Sequence, residues 1–199
     1  MRWMALALVA AMAATLHTSA FAEGADWGDS TPPAPGLTNA DATATFAGAI
    51  MKCVQSRMNG GMISDLPNDP PMRLKLAPPG DRRLAGPTPA DEPIWITDQL
   101  GSLLVIAEPS RDRCEVNAMQ LRVDRTFQTV IYTFQQVLPD FTPVHVEPGY
   151  DPIVYELQSV TQGTRYVVHM EGAEPGAPGH AFRFSLLHAY VTREAAAHP

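Results

Sequence analysis

Apolar residues change period along this chain, and the change predicts two helices and a series of strands. From Phe46 through Ala49, Ile50, Cys53 and Val54 to Met58 they recur at helical spacing and make one stripe. Asn39 or Asp41 suits the start of this helix, and Gly60-Gly61 suits its end. A second stripe consists of Phe127, Val130, Ile131, Phe134, Val137 and Leu138, opposite a polar face from Gln128 to Gln136. Asp124 is its expected cap and Pro139 its stop.

Elsewhere the period falls to two. Ile94 to Thr97, Leu103 to Ile106 and Cys114 to Ala118 read as a meander, with Glu108 to Asp112 as its second turn. Val144 to Glu147, Ile153 to Val160, Thr164 to Glu171 and Phe182 to Val191 read as four further strands. Thr161-Gln162-Gly163 closes a tight hairpin between the second and third of these. Met72 to Leu76 alternates briefly inside the Pro-rich stretch 62–92 and suits a short edge strand. The predicted fold is α+β, two helices packed on a mostly antiparallel sheet. The two helix-plus-strand halves match in order but not in residues, so they are not a repeat.

The N-terminus reads differently. Arg2 precedes an uncharged apolar run from Met4 to Leu16, and Ala20-Phe21-Ala22 supplies small residues for cleavage before Glu23. Residues 1–22 therefore read as a secretory signal peptide, too short in its apolar part for a stable membrane span. Residues 23–40, rich in Gly, Pro and small polar side chains, read as a flexible leader. Residues 41–192 are the expected single domain, and 193–199 an expected frayed tail. The expected location is periplasmic or secreted, with no membrane span once the signal is removed. A formal charge of −7 over 199 residues argues against nucleic-acid binding, because phosphate backbones are repelled.

Two cysteines, Cys53 and Cys114, are present. In an oxidising compartment they are expected to pair, tying the first helix to the third strand. About 60 residues lie between them, too many for a local redox motif. The pieces Phe46 to Cys53, Trp95, Leu103 to Glu108 and Cys114 to Ala118 follow one another in a recognisable layout. In that layout residues 42–138 resemble small exported proteobacterial proteins of uncharacterised function, with a single helix-to-strand disulfide. The resemblance supports the Cys53–Cys114 pairing and implies no activity.

Candidate chemistry is sparse. The sequence contains no nucleophile elbow, no zinc-protease helix motif and no glycine-rich phosphate loop, and it implies no cofactor and no metal. His145 and Glu147 share the parity of one strand, and His169 and Glu171 that of another, all pointing away from the core. If those strands are neighbours, the four form a polar patch able to sense pH or hold a divalent cation. His188 shares parity with Phe182, Phe184 and Leu186 and is expected to face the core. Arg73, Lys75, Arg82 and Arg83 concentrate positive charge in the Pro-rich loop and are the candidate interaction loop. The expected function is a non-catalytic periplasmic binding or envelope-interaction domain, meeting its partner through that loop or an open sheet edge. The alternative is a periplasmic hydrolase with a convergent site built from His145, His169 or His188 beside an acid.

Overall fold

A computed structural model describes residues 39–68, 72–78, 92–97, 100–144, 153–176 and 185–196. The segments expected to be a signal peptide and, nearly all of it, a leader, and much of the Pro-rich stretch 62–92, lie outside those residues. The elements in chain order are α1 (Asn39–Met58), β1 (Leu74–Leu76), β2 (Ile94–Thr97), β3 (Gly101–Ser110) and β4 (Arg113–Met119). They are followed by α2 (Val123–Val137), β5 (Thr142–Val144), β6 (Ile153–Thr161), β7 (Thr164–Ala173) and β8 (Leu186–Ala195). The fold is α+β, as the periodicity predicts.

The strands form one eight-stranded sheet in the order β1-β2-β3-β4-β8-β7-β6-β5, antiparallel throughout. The last strand of the chain is therefore a central one. It pairs with β4 on one side and β7 on the other, and so joins two meanders that are separate in sequence. Both helices pack on one face. Leu104, Ile106, Val116, Ala118, Leu157, Val168, Met170, Leu187, Ala189 and Val191 supply the sheet side of that core. Pairing in β8 continues past Arg193 to Ala195, opposite Thr164, so the strand takes in residues expected to fray. On the opposite face Ile94, Ile96, Val105 and Ala107 form a second, smaller buried cluster.

Both helices keep their predicted stripes. On α1, Phe46, Ala49, Ile50, Cys53 and Val54 are buried, while Met58 has rotated off the stripe and is exposed. Gly60 lies in the left-handed region at φ 68, which lets its N–H reach the Arg57 carbonyl and the Gly61 N–H reach the Ser56 carbonyl. That pair of bonds satisfies carbonyls the helix end leaves open. The predicted Asp124 cap is not the N-cap of α2. Asp41 lies within the first turn of α1, and Asp124 within that of α2, whose N-cap position is Arg122. The first N–H of α2, on Val123, is instead accepted by Glu174 Oε1 at 2.8 Å, just beyond β7.

The start of α2 rests directly on β7 at Gly172. A Cβ there would lie 2.5 Å from Val123 Cγ1 and 3.1 Å from Phe127 Cζ. Gly172→Ala is therefore expected to destabilise the fold by roughly 1–3 kcal/mol through overpacking, read as a fall in the urea midpoint. An unchanged midpoint would mean that α2 lifts off the sheet at little cost.

Cys53 and Cys114 form the predicted disulfide, with an S–S distance of 2.01 Å and both residues fully buried. One turn beyond Cys53, Arg57 is also fully buried, against Glu108 of β3. The sequence pattern put Glu108 in a turn. Strand β3 instead runs on to Ser110 and aims Glu108 at the helix layer. Arg57 Nη2 donates to Glu108 Oε1 at 2.5 Å and to the Gly61 carbonyl at 3.1 Å. Its Nη1 donates to the carbonyls of Ser110 and Arg113, on either side of the β3–β4 turn. Glu108 also accepts from the Ile63 N–H and from Trp95 Nε1. Burial pulls the Arg57 guanidinium below its ordinary range, and the Glu108 carboxylate opposes that pull. Such a pair is retained only when its remaining donors and acceptors are met, as they are here.

Candidate functional site

Strands β4, β8, β7 and β6 lie side by side, and their alternate residues face away from the helices. Because an antiparallel strand with one face on a core alternates in polarity, this outer face collects ionisable side chains. Register then decides which of them meet. Glu171 lies opposite His188, His169 opposite Tyr190, and Glu156 opposite His169. Glu115 of β4 lies opposite Tyr190, diagonal to His188.

The result is a row running Glu115, His188, Glu171, His169, Glu156 across four strands. His188 Nε2 is 3.7 Å from Glu115 Oε2, and His188 Nδ1 is 3.1 Å from Glu171 Oε1. The other oxygen of Glu171 lies 3.9 Å from His169 Nε2, and His169 Nδ1 lies 3.6 Å from Glu156 Oε2. Glu171 thus serves both rings. The imidazole side chains are half-buried, 28% exposed for His188 and 20% for His169.

Tyr190 sits between the rings, stacked on His169 at 4.7 Å between centroids and 5.7 Å from His188. The Arg113 guanidinium covers the Tyr190 ring at 4.6 Å and is 2.6 Å from Glu115. Arg165 lies 3.8 Å from Glu156 and 4.0 Å from Glu194. Burial pushes the Tyr190 hydroxyl above the usual phenol range. Arg113 pulls the other way, and Glu156, Glu171 and Glu194 add to the rise. Tyr190 is therefore a neutral hydroxyl at physiological pH.

His169 and Glu171 are where strand parity puts them, on the outer face. His188 is not. Its expected inward orientation followed from Phe182, Phe184 and Leu186, whereas the buried alternation of β8 is Leu187, Ala189 and Val191. An alanine in the inward set hides it from a hydrophobicity pattern. The corrected frame turns His188 outward and brings it to Glu171. His145 and Glu147, the other half of the expected patch, lie outside the described residues, as do Arg82 and Arg83. Arg73 and Lys75 are exposed beside and on edge strand β1. Glu115, Glu156 and Tyr190 carried no signal of their own, since only strand order puts them beside the histidines.

Among the described residues, neither edge strand offers a long template for a partner strand. Each is three residues long, and β5 carries Pro143 at its centre. On β1 the Asn68 side chain occupies the backbone of Leu74, accepting from its N–H at 2.7 Å and donating to its carbonyl at 2.8 Å.

Every polar contact described for the two imidazoles is to a carboxylate. Among the described residues, no group of three or more His, Cys, Asp or Glu is arranged to hold a metal ion. No described helix is long and apolar enough to cross a membrane. Comparison with protein-family models, curated proteins and solved structures gives no match.

Proposed function

We propose that this chain is a non-catalytic binding or envelope-interaction domain, exported to the periplasm or medium, and that it meets its partner through the outer face of β4, β8, β7 and β6. The row of two histidines and three carboxylates carries this reading. It is half-exposed, built on the central strands of a rigid sheet, and placed where a partner can reach it. Two supporting features are the signal-like N-terminus and a disulfide of the kind that persists in oxidising compartments.

A second reading, a hydrolase, draws on one contact. His188 Nδ1 at 3.1 Å from Glu171 has the spacing of a base held by an orienting acid. The two readings separate experimentally. A photo-crosslinking amino acid at Val160, which is 61% exposed on the outer face, is expected to give an adduct in cells. The same residue at Tyr132, 54% exposed on α2, is expected to give none. Adducts from Tyr132 alone would move the partner to the helix face. The mature protein is expected to turn over no chromogenic ester, phosphate, peptide or glycoside between pH 5 and pH 8. Turnover that His188→Ala abolishes would establish the hydrolase instead.

A further inference from the structure

We propose that the Asn68 side chain plugs the β1 end of the sheet, taking the place where an incoming backbone would pair and so preventing strand addition by a second copy of this chain. The inference goes beyond the binding reading and does not rest on it, since it concerns an end of the sheet and not the outer face.

Backbone direction decides which groups on β1 are open. In an antiparallel pair, successive residues turn their N–H and C=O alternately towards the neighbouring strand and away from it. The Ala77 N–H donates to the Ile94 carbonyl at 2.8 Å, and Lys75, two residues earlier, lies opposite Ile96. Lys75 and Ala77 therefore face β2, while Leu74 and Leu76 turn outward from the last strand of the sheet. Outward N–H and C=O groups on an end strand are a template for another strand.

Asn68 fills half of that template. Its Oδ1 accepts from the Leu74 N–H at 2.7 Å, and its Nδ2 donates to the Leu74 carbonyl at 2.8 Å. A residue paired with Leu74 from a further strand would make the same two bonds. The side-chain amide can imitate it because one planar tip carries both an acceptor and a donor. Leu76 is the other half. Among the described residues nothing pairs with its outward backbone, and the residue is 62% exposed.

A second copy carries the same two outward residues. Two such edges meeting about a two-fold axis would set Leu74 opposite Leu76 and Lys75 opposite its own counterpart. Like charges directly opposite one another destabilise a strand pair, so the exposed Lys75 is a second guard beside the amide. At the far end of the sheet, Pro143 at the centre of β5 has no N–H to offer. Each end of the sheet thus carries its own block, and a partner's open route to it is a face.

The test compares three variants of the oxidised mature protein: Lys75→Thr, the double variant Lys75→Thr with Asn68→Ala, and that double variant with Leu76→Pro added. Hydrogen exchange of the Leu74 amide is expected to quicken roughly two- to tenfold on loss of Asn68, the factor set by the net worth of one hydrogen bond. Light scattering against time and concentration is expected to show Lys75→Thr assembling as slowly as the parent, and the double variant several-fold faster. Leu76→Pro removes an outward N–H without breaking a bond to β2, so it is expected to return assembly to the slow rate. That reversal separates an opened edge from a loosened fold, because the proline restores no lost contact. The proposal is overturned if the double variant assembles no faster than Lys75→Thr, if Leu76→Pro fails to slow it, or if Leu74 exchange is unchanged.

Discussion

Arg57→Ala is expected to lower the unfolding free energy by about 3–5 kcal/mol, the usual cost of leaving one member of a buried ion pair alone. That is a large part of the roughly 5–15 kcal/mol by which a domain of this size is stable. The loss has two sources. Among the described residues, Glu108 remains fully buried with only the Ile63 N–H and Trp95 Nε1 as donors. The carbonyls of Gly61, Ser110 and Arg113 lose a shared donor. Arg57→Lys is expected to recover little, since an ammonium is a point donor and cannot span four acceptors that the planar fork reaches at once. Urea denaturation of the oxidised protein measures both variants. If Arg57→Ala proves too unstable to fold, the Lys variant still gives a graded value. A loss below about 1 kcal/mol in either would show that the pair contributes no more than an exposed one.

This node marks the limit of what local sequence conveys. Helix stripes and strand alternation are local, because the buried face repeats within one element. The stripes from Phe46 to Val54 and from Phe127 to Phe134 could therefore be read from the letters. So could the β6–β7 hairpin and the Cys53–Cys114 pair, the latter because the chain offers one pairing only. Glu108 sits beside Pro109 in a run of turn-forming residues, yet it answers an arginine 51 positions earlier. No window of neighbouring residues contains that partner. The cap of α2 is similar, since Glu174 reaches Val123 from 51 positions away and leaves Asp124 uncalled for. For the outer face, alternation placed His169 and Glu171 but not their company. Insertion of β8 between β4 and β7 is a tertiary event, and with it came the frame of His188. One strand frame shifted by a single residue exchanges the core and surface sets entirely. The row of acids and imidazoles thus became visible only with the strand order.

Loss of the Cys53–Cys114 bridge should cost about 4 kcal/mol, from the entropy of the unfolded loop that the bridge closes. The sequence separation of 61 sets that figure, since loop entropy grows slowly with length. Cys53→Ala with Cys114→Ala, compared in urea with the oxidised parent, measures it. A midpoint unchanged by the double substitution would show that the reduced chain is already constrained. The bridge and the buried ion pair are expected to be coupled as well. Arg57 follows Cys53 by one turn of α1, and one of its acceptors, the Arg113 carbonyl, immediately precedes Cys114. Both devices therefore hold the same helix end to the same strand pair. In a cycle combining the double Cys variant with Arg57→Lys, the combined loss is expected to differ from additivity by more than about 0.5 kcal/mol, as residues sharing one contact region do. Additivity within that margin would show two independent staples. With coupling, a reduced chain loses the bridge and loosens the seat of a buried charge together. Its fold then depends on oxidation by more than loop entropy alone.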